Sequence, residues 1–193
     1  GRNGSGKTTL LRILTGFRLP SAGRIRVAGI DVVRQPVVAQ RRLGYMTESP
    51  ELYGELTVRG LLRFVAQARG VPRSQRDARI DELVGRFGLE AVIGRLCAHC
   101  SKGYRGRVAL AAAVLHRPDV VFLDEPCAGL DPEQRARTHG LIRELAGSAT
   151  LVISSHDLHE VASLCGRALL LDRGRVARCG TLDGLGGAEG LAE

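Results

Sequence analysis

Hydrophobic positions along the chain follow either a helical or a two-residue rhythm, and the switches between them mark out its elements. Leu10, Leu11, Ile13 and Leu14 recur at helical spacing, predicting a helix over Thr8 to Thr15 that stops at Gly16. Beyond the turn Leu19-Pro20-Ser21-Ala22-Gly23, Arg24-Ile25-Arg26-Val27 alternates as a strand does, and a second strand is expected from Leu43 to Met46 before Thr47-Glu48-Ser49-Pro50 breaks regular structure. From Thr57 to about Leu96 the rhythm turns helical. Leu61, Leu62, Val65 and Ala68 share one face, Ile80, Leu83, Val84 and Phe87 another, and Gly70-Val71-Pro72 separates the two helices. Ser101 is placed to cap a further helix through Val108, Ala111, Ala112 and Leu115, which Arg117-Pro118-Asp119 ends. Val120-Val121-Phe122-Leu123 and Thr150 to Ser154 are runs of the kind buried on both faces in a parallel sheet, and Ala168 to Asp172 with Arg175 to Arg178 form a closing hairpin about Gly174.

Composition narrows this picture. At 193 residues, 44% hydrophobic and 25% charged, the chain is expected to be one ordinary globular domain with a substantial core. No apolar run reaches the roughly 18 residues needed to span a bilayer, so any membrane role is expected to pass through a partner. The net charge of +8 and pI near 9.9 would suit a polyanion, yet the arginines are scattered and aromatics make up only 4%, so direct nucleic-acid binding is not expected. Five cysteines, an odd number without framework spacing, favour free thiols in a reducing compartment. The pair in Cys97-Ala-His99-Cys100 has no second pair to complete a zinc site.

The chemistry concentrates in a few places. Gly1-Arg2-Asn3-Gly4-Ser5-Gly6-Lys7-Thr8-Thr9 satisfies G-x-x-x-x-G-K-[ST], the pattern of a phosphate-binding loop. Gly4 and Gly6 clear side chains from where backbone N–H groups must wrap a phosphate, Lys7 supplies a charge for β- and γ-phosphates, and the Thr8 hydroxyl suits Mg²⁺. The following helix would aim its N-terminus at the anion. A strand is expected before this loop, and since Gly1 is not a natural initiator the sequence is read as a fragment. Asp124 and Glu125 fall at the carboxyl end of a buried strand, where open α/β sheets bind ligands, Asp124 placed for Mg²⁺ and Glu125 for polarising water. Ser155-His156-Asp157 closes another strand of that sheet. Alone, the loop fits a kinase, GTPase or motor equally well.

Taken in order, these motifs resemble the nucleotide-binding subunit of an ATP-binding-cassette (ABC) transporter over nearly the whole chain. The resemblance implies an α/β P-loop NTPase fold of the ABC type with a mostly parallel core sheet. It implies a catalytic core of residues 1–47 and 108–193, and a helical subdomain with the signature loop at 48–107. Gly1 to Thr9 looks like Walker A, with Gly1, Asn3, Gly4, Ser5, Gly6, Lys7, Thr8 and Thr9 lining the nucleotide. Val120 to Glu125 looks like Walker B with its catalytic glutamate, and His156 like the switch histidine that senses the γ-phosphate. Ala128-Gly129-Leu130-Asp131 looks like the D-loop, and Ser101 and Gly103 fall at signature positions that contact the nucleotide of an opposite subunit. The implied ligands are ATP and Mg²⁺, the metal on Thr8 and Asp124 with Glu48 a further candidate. The implied partners are a second nucleotide-binding subunit, identical or not, and an integral-membrane permease that holds the chain at the cytoplasmic face.

The chain also departs from the family pattern. Glu48 replaces the usual Gln, which with Lys102 and Tyr104 resembles export-type members related to gliding-motility, drug and copper exporters. Cys100 stands where Leu is common and Gly106 where that group carries Gln, which removes an amide donor and raises the helix cost by roughly 1 kcal/mol. Two other readings stand beside a transporter ATPase: a soluble ABC ATPase acting on nucleic acid or the ribosome, and a degenerate nucleotide-binding module.

Overall fold

The computed structural model of the chain describes residues 4–190. Its centre is a parallel sheet of β3 (Leu43–Met46), β4 (Val120–Asp124) and β5 (Thr150–Ser154), in that spatial order. Leu43 pairs with Val120 and Val120 with Thr150, so the strands are in step and their carboxyl ends share one edge of the sheet. The two-residue period divides the core. Val121 and Leu123 point into a large apolar cluster with Leu62, Phe87, Leu110 and Leu145, while Phe122 points the other way to meet Leu11, Ala39 and Leu43. Each Val, Leu or Phe among them contributes about 1.5–3 kcal/mol on burial.

Helices occupy both layers. On the Phe122 side lie α1 (Lys7–Leu14) and α2 (Pro36–Arg42), joined in the chain by a small hairpin formed by β1 (Arg26–Val27) and β2 (Ile30–Asp31). The larger layer holds α3 (Val58–Ala68), α4 (Arg73–Phe87), α5 (Lys102–Val114) and α6 (Pro132–Ala146). Beyond β5 come α7 (Leu158–Leu164), the antiparallel pair β6 (Arg167–Asp172) and β7 (Arg175–Thr181), and a short α8 (Gly187–Gly190). No helix among the described residues is long and apolar enough to cross a membrane.

Local chemistry explains the boundaries. The Thr57 hydroxyl accepts from Gly60 N–H at 3.0 Å and starts α3; Ser101 accepts from Tyr104 N–H at 3.4 Å and starts α5. The helical run expected to reach Leu96 stops at Phe87, because Gly88 takes the left-handed conformation at φ 59° and turns the chain; Leu89 and Val92 nevertheless remain in the core. The strand expected over Arg24 to Val27 pairs as β1 only at Arg26 and Val27, because Ala28 and Gly29, at φ 49° and 79°, turn the chain back at once. The periodicity did not reveal α2, α6 or α7. The first half of α6 is polar, and its start is marked only by Asp131 accepting from Gln134 N–H and by Pro132 at the first turn.

Close approach of α5 to β3 depends on a missing side chain. A Cβ on Gly44 would lie 2.1 Å from the Ala113 carbonyl oxygen, so Gly44→Ala should force backbone apart and cost roughly 1–3 kcal/mol. Gly106, inside α5 with nothing near its missing Cβ, is the converse, and Gly106→Ala should gain roughly 0.5–1 kcal/mol. Urea-unfolding midpoints of the two variants should move in opposite directions.

His116 provides a pH-dependent link between the same elements. Its Nε2–H donates to the Leu43 carbonyl at 3.0 Å, while Nδ1 is buried without a partner among the described residues. Burial, reinforced by the nearby Arg69 charge, lowers its pKa from 6.5 to about 4. The folded value lies below the unfolded one, so this contribution is complete above pH 6.5 and lost as pH falls toward 4. Denaturant midpoints of the parent should decline more steeply across that window than those of His116→Gln, whose amide can still donate to Leu43.

Candidate functional site

The carboxyl edge of the parallel sheet brings three separate stretches together. β4 ends in Asp124 and Glu125, β5 ends before Ser155 and His156, and α1 starts at Lys7 after the glycine-rich loop. Glu125 sits at φ 48°, a left-handed backbone that costs a non-glycine residue about 1–3 kcal/mol. The conformation is held by its N–H donating to the Ser154 carbonyl at 3.1 Å and to the Ser154 hydroxyl at 3.2 Å. The resulting turn aims the carboxylate across the sheet. Glu125 Oε1 lies 3.7 Å from Lys7 Nζ, and Oε2 accepts from His156 Nδ1 at 2.8 Å.

Asp124 lies one step deeper, only 1% exposed. Its Oδ1 accepts from the Ser154 hydroxyl, and its Oδ2 is buried with no partner among the described residues. A dry carboxylate oxygen is costly unless a cation meets it, so the residues fit a hard divalent metal here. Burial and the neighbouring Asp124 push the Tyr45 phenol up, which marks this corner as low in dielectric.

The loop itself is shaped for an anion. Gly4 and Gly6 have φ of 78° and 101°, and among the described residues no side chain caps α1, which leaves its first N–H groups to an anion. Gly174, at the tip of the β6–β7 hairpin, donates its N–H to the Ser5 carbonyl at 2.9 Å, and its Cα would be 3.6 Å from a Cβ on Gly6. The hairpin thus braces the loop from outside. Thr8 and Thr9 stand in the first turn of α1; Gly1 and Asn3 lie outside the described residues.

A second grouping joins the remaining expected residues. Ser101 caps α5, and a Cβ on Gly103 would meet Gln134 Oε1 at 2.6 Å. Lys102 Nζ would lie 2.2 Å from a Cβ on Gly129, so the start of α5 lies against the segment that leads through Asp131 into α6. Among the described residues no hydrogen bond or ion pair joins Ser101 or Gly103 to Glu125 or His156. Glu48 is exposed, just past the end of β3 on the same sheet edge. Neither periodicity nor motif spacing assigns a site role to Ser154, to Arg107 or to Gly174, which the sequence marks only as a hairpin turn. Arg107 is 3% exposed, donates to the Phe87 and Gly88 carbonyls at 3.1 and 2.9 Å, and thereby ties α5 to the end of α4.

Because the carboxylate accepts, a neutral His156 should carry its proton on Nδ1. Long-range ¹H–¹⁵N spectra should show that tautomer in the parent and a shift toward the Nε2–H form in Glu125→Ala. An Nε2–H ring in the parent would contradict the described hydrogen bond.

Comparison with known proteins places this geometry in context. The sequence profile of the family described as ABC transporter matches residues 1–128. The chain is 36% identical over 187 residues to ABC transporter ATP-binding protein NatA of Bacillus subtilis, across 96% of this chain and 76% of that protein. It is 39% identical over 186 residues to Daunorubicin resistance ATP-binding protein DrrA3 of Streptomyces coeruleorubidus, across 96% of this chain and 59% of that protein. A solved ATP binding subunit of an ABC transporter superposes with a TM-score of 0.87 at 33% identity, over 96% of this chain and 78% of the other.

Proposed function

The chain belongs to the ABC transporter family of ATP-binding proteins, which bind and hydrolyse ATP, and on that premise we propose that it powers export of a substrate through a separate membrane permease. The observation that carries the reading is the Glu125 carboxylate held between Lys7 and His156 at the carboxyl end of β4.

In the proposed mechanism, the N–H groups of Gly4, Ser5, Gly6 and Thr9 cradle the phosphates, and Lys7 binds the β- and γ-phosphoryl oxygens. An incoming triphosphate competes with Glu125 for Lys7, so substrate binding releases the carboxylate to polarise the attacking water. His156, hydrogen-bonded to that carboxylate, orients it and responds to the γ-phosphate. Thr8 and Asp124 would hold Mg²⁺, with Glu48 close to the same edge. When bound there, the ion would neutralise charge on the transferred phosphoryl group. Most of the catalysis is therefore positioning and electrostatics, with little covalent work for the protein.

Ser101, Gly103 and Asp131 are proposed to serve the nucleotide of a second subunit. Gly103 lies against Gln134 and Lys102 against Gly129, with no hydrogen bond or ion pair from Ser101 or Gly103 to Glu125 among the described residues, which supports a composite site closed by dimerisation. We read residues 48–107 as the segment that carries closure to the permease at the cytoplasmic face, and residues 1–47 and 108–193 as the core that performs it. Glu48, Lys102 and Tyr104, together with the similarity to a daunorubicin-resistance protein, support the outward direction.

The test uses full-length protein. Glu125→Gln should retain ATP binding, lose turnover by roughly 10²–10⁴-fold and accumulate as a nucleotide-bound dimer. Ser101→Arg should bind ATP as a monomer yet fail to turn over. Parental turnover in the first variant would overturn the role of Glu125, and parental turnover in the second would overturn the shared site.

A further inference from the structure

Behind the nucleotide edge, three side chains that the proposed hydrolysis does not use converge from different elements. Cys127 lies in the turn that follows Glu125, His139 on α6, and Glu160 in the first turn of α7. One ligand atom from each, a sulfur, an imidazole nitrogen and a carboxylate oxygen, lie within 4.8 Å of one another. We propose that Cys127, His139 and Glu160 form a binding site for a thiophilic divalent cation of the Zn²⁺ class, clamping the loop of Glu125 to the helix behind His156.

The ligand set fits the chemistry. Tetrahedral coordination with ordinary bond lengths to sulfur, nitrogen and oxygen places ligand atoms roughly 3.3–3.7 Å apart, so the cluster needs to close by at most roughly 1.5 Å. His139 Nε2 and Glu160 Oε1 are already 3.1 Å apart. The donors are buried where polar groups must be paired: Cys127 is 3% and Glu160 6% exposed. The His139 side chain, 15% exposed, offers the route of entry and leaves a fourth position for water. Glu160 is also held from outside, because Oε2 accepts from the Ser155 hydroxyl at 2.5 Å, the kind of orienting contact that supports a metal ligand.

Charge also balances. Without a cation, burial and the adjacent Glu160 push the Cys127 thiol up, so it remains protonated and inert. Coordination exchanges that proton for the metal and releases one proton to solvent, after which thiolate and carboxylate together cancel the dication. The other charges nearest Cys127, Arg135 and Asp157, pair with each other at 3.2 Å and leave the site no net excess. The consequence concerns the catalytic edge. Cys127 is joined to Glu125 through Pro126, and Glu160 grips Ser155 beside His156, so a bound cation would restrain both partners of the 2.8 Å hydrogen bond.

The experiment titrates tag-free, chelator-stripped full-length protein with Co²⁺ and follows the thiolate-to-Co²⁺ charge-transfer absorbance, then displaces it with Zn²⁺. One equivalent should bind, and Zn²⁺ should raise the thermal midpoint of the parent. Cys127→Ser should abolish the charge-transfer band, while Cys97→Ser combined with Cys100→Ser should retain it. His139→Gln, at a partly exposed position where the amide can still pair with Glu160, should keep the metal-free midpoint and weaken binding at least about tenfold, so it decides the matter if Cys127→Ser fails to fold. Absence of the band in the parent, its survival in Cys127→Ser, or unchanged affinity in His139→Gln would each overturn the proposal.

Discussion

The Glu125 carboxylate is the point on which the rest of this structure converges. One oxygen faces Lys7 at 3.7 Å and the other accepts from His156 at 2.8 Å, so a single side chain links the start of α1, the end of β4 and the end of β5. It is 8% exposed, and a charge that deeply placed is tolerated only with partners; removing one partner of such a pair commonly costs about 3–5 kcal/mol. The backbone beneath is strained as well, left-handed at φ 48° and secured by two acceptors on Ser154. Strain and buried charge persist here because the sheet below is rigid.

That rigidity comes from ordinary packing. The period of β4 sends Val121 and Leu123 into one apolar layer and Phe122 into the other, so the strand is held from both sides while its last residue projects beyond the core. Gly44 lets α5 approach β3 directly, and His116 donates to the Leu43 carbonyl across the same seam. On the open side, the hairpin tip at Gly174 bonds the Ser5 carbonyl and props the glycine-rich loop. The site is therefore assembled by elements whose own burial has nothing to do with phosphate.

The start of α5 and the Gly129-to-Gln134 segment form a second station, and Cys127, His139 and Glu160 meet in the turn after Glu125 and on the two helices that follow it. Motion at one station has a physical path to the other, because Cys127 shares a turn with Glu125, and Arg107 fixes α5 to the end of α4.

Local chemistry in the sequence was enough to determine the glycine-rich loop with Lys7, the helix that begins at Thr57, the capped helix at Ser101, the buried strands and the hairpin at Gly174. Each depends on periodicity, caps or turn residues within a few positions of one another. It also placed Asp124, Glu125 and His156 at strand ends, and the order of those motifs identified the family. It did not locate α6, whose apolar face is confined to its last turns, or the end of α4, where Gly88 outweighs the continuing hydrophobic pattern. Only the tertiary structure decided that Lys7 and His156 share Glu125, that Ser154 orients both acids, and that Cys127, His139 and Glu160 meet. Those contacts join residues far apart in the chain, and they exist only once two apolar layers have closed on a common sheet and set its strands in register.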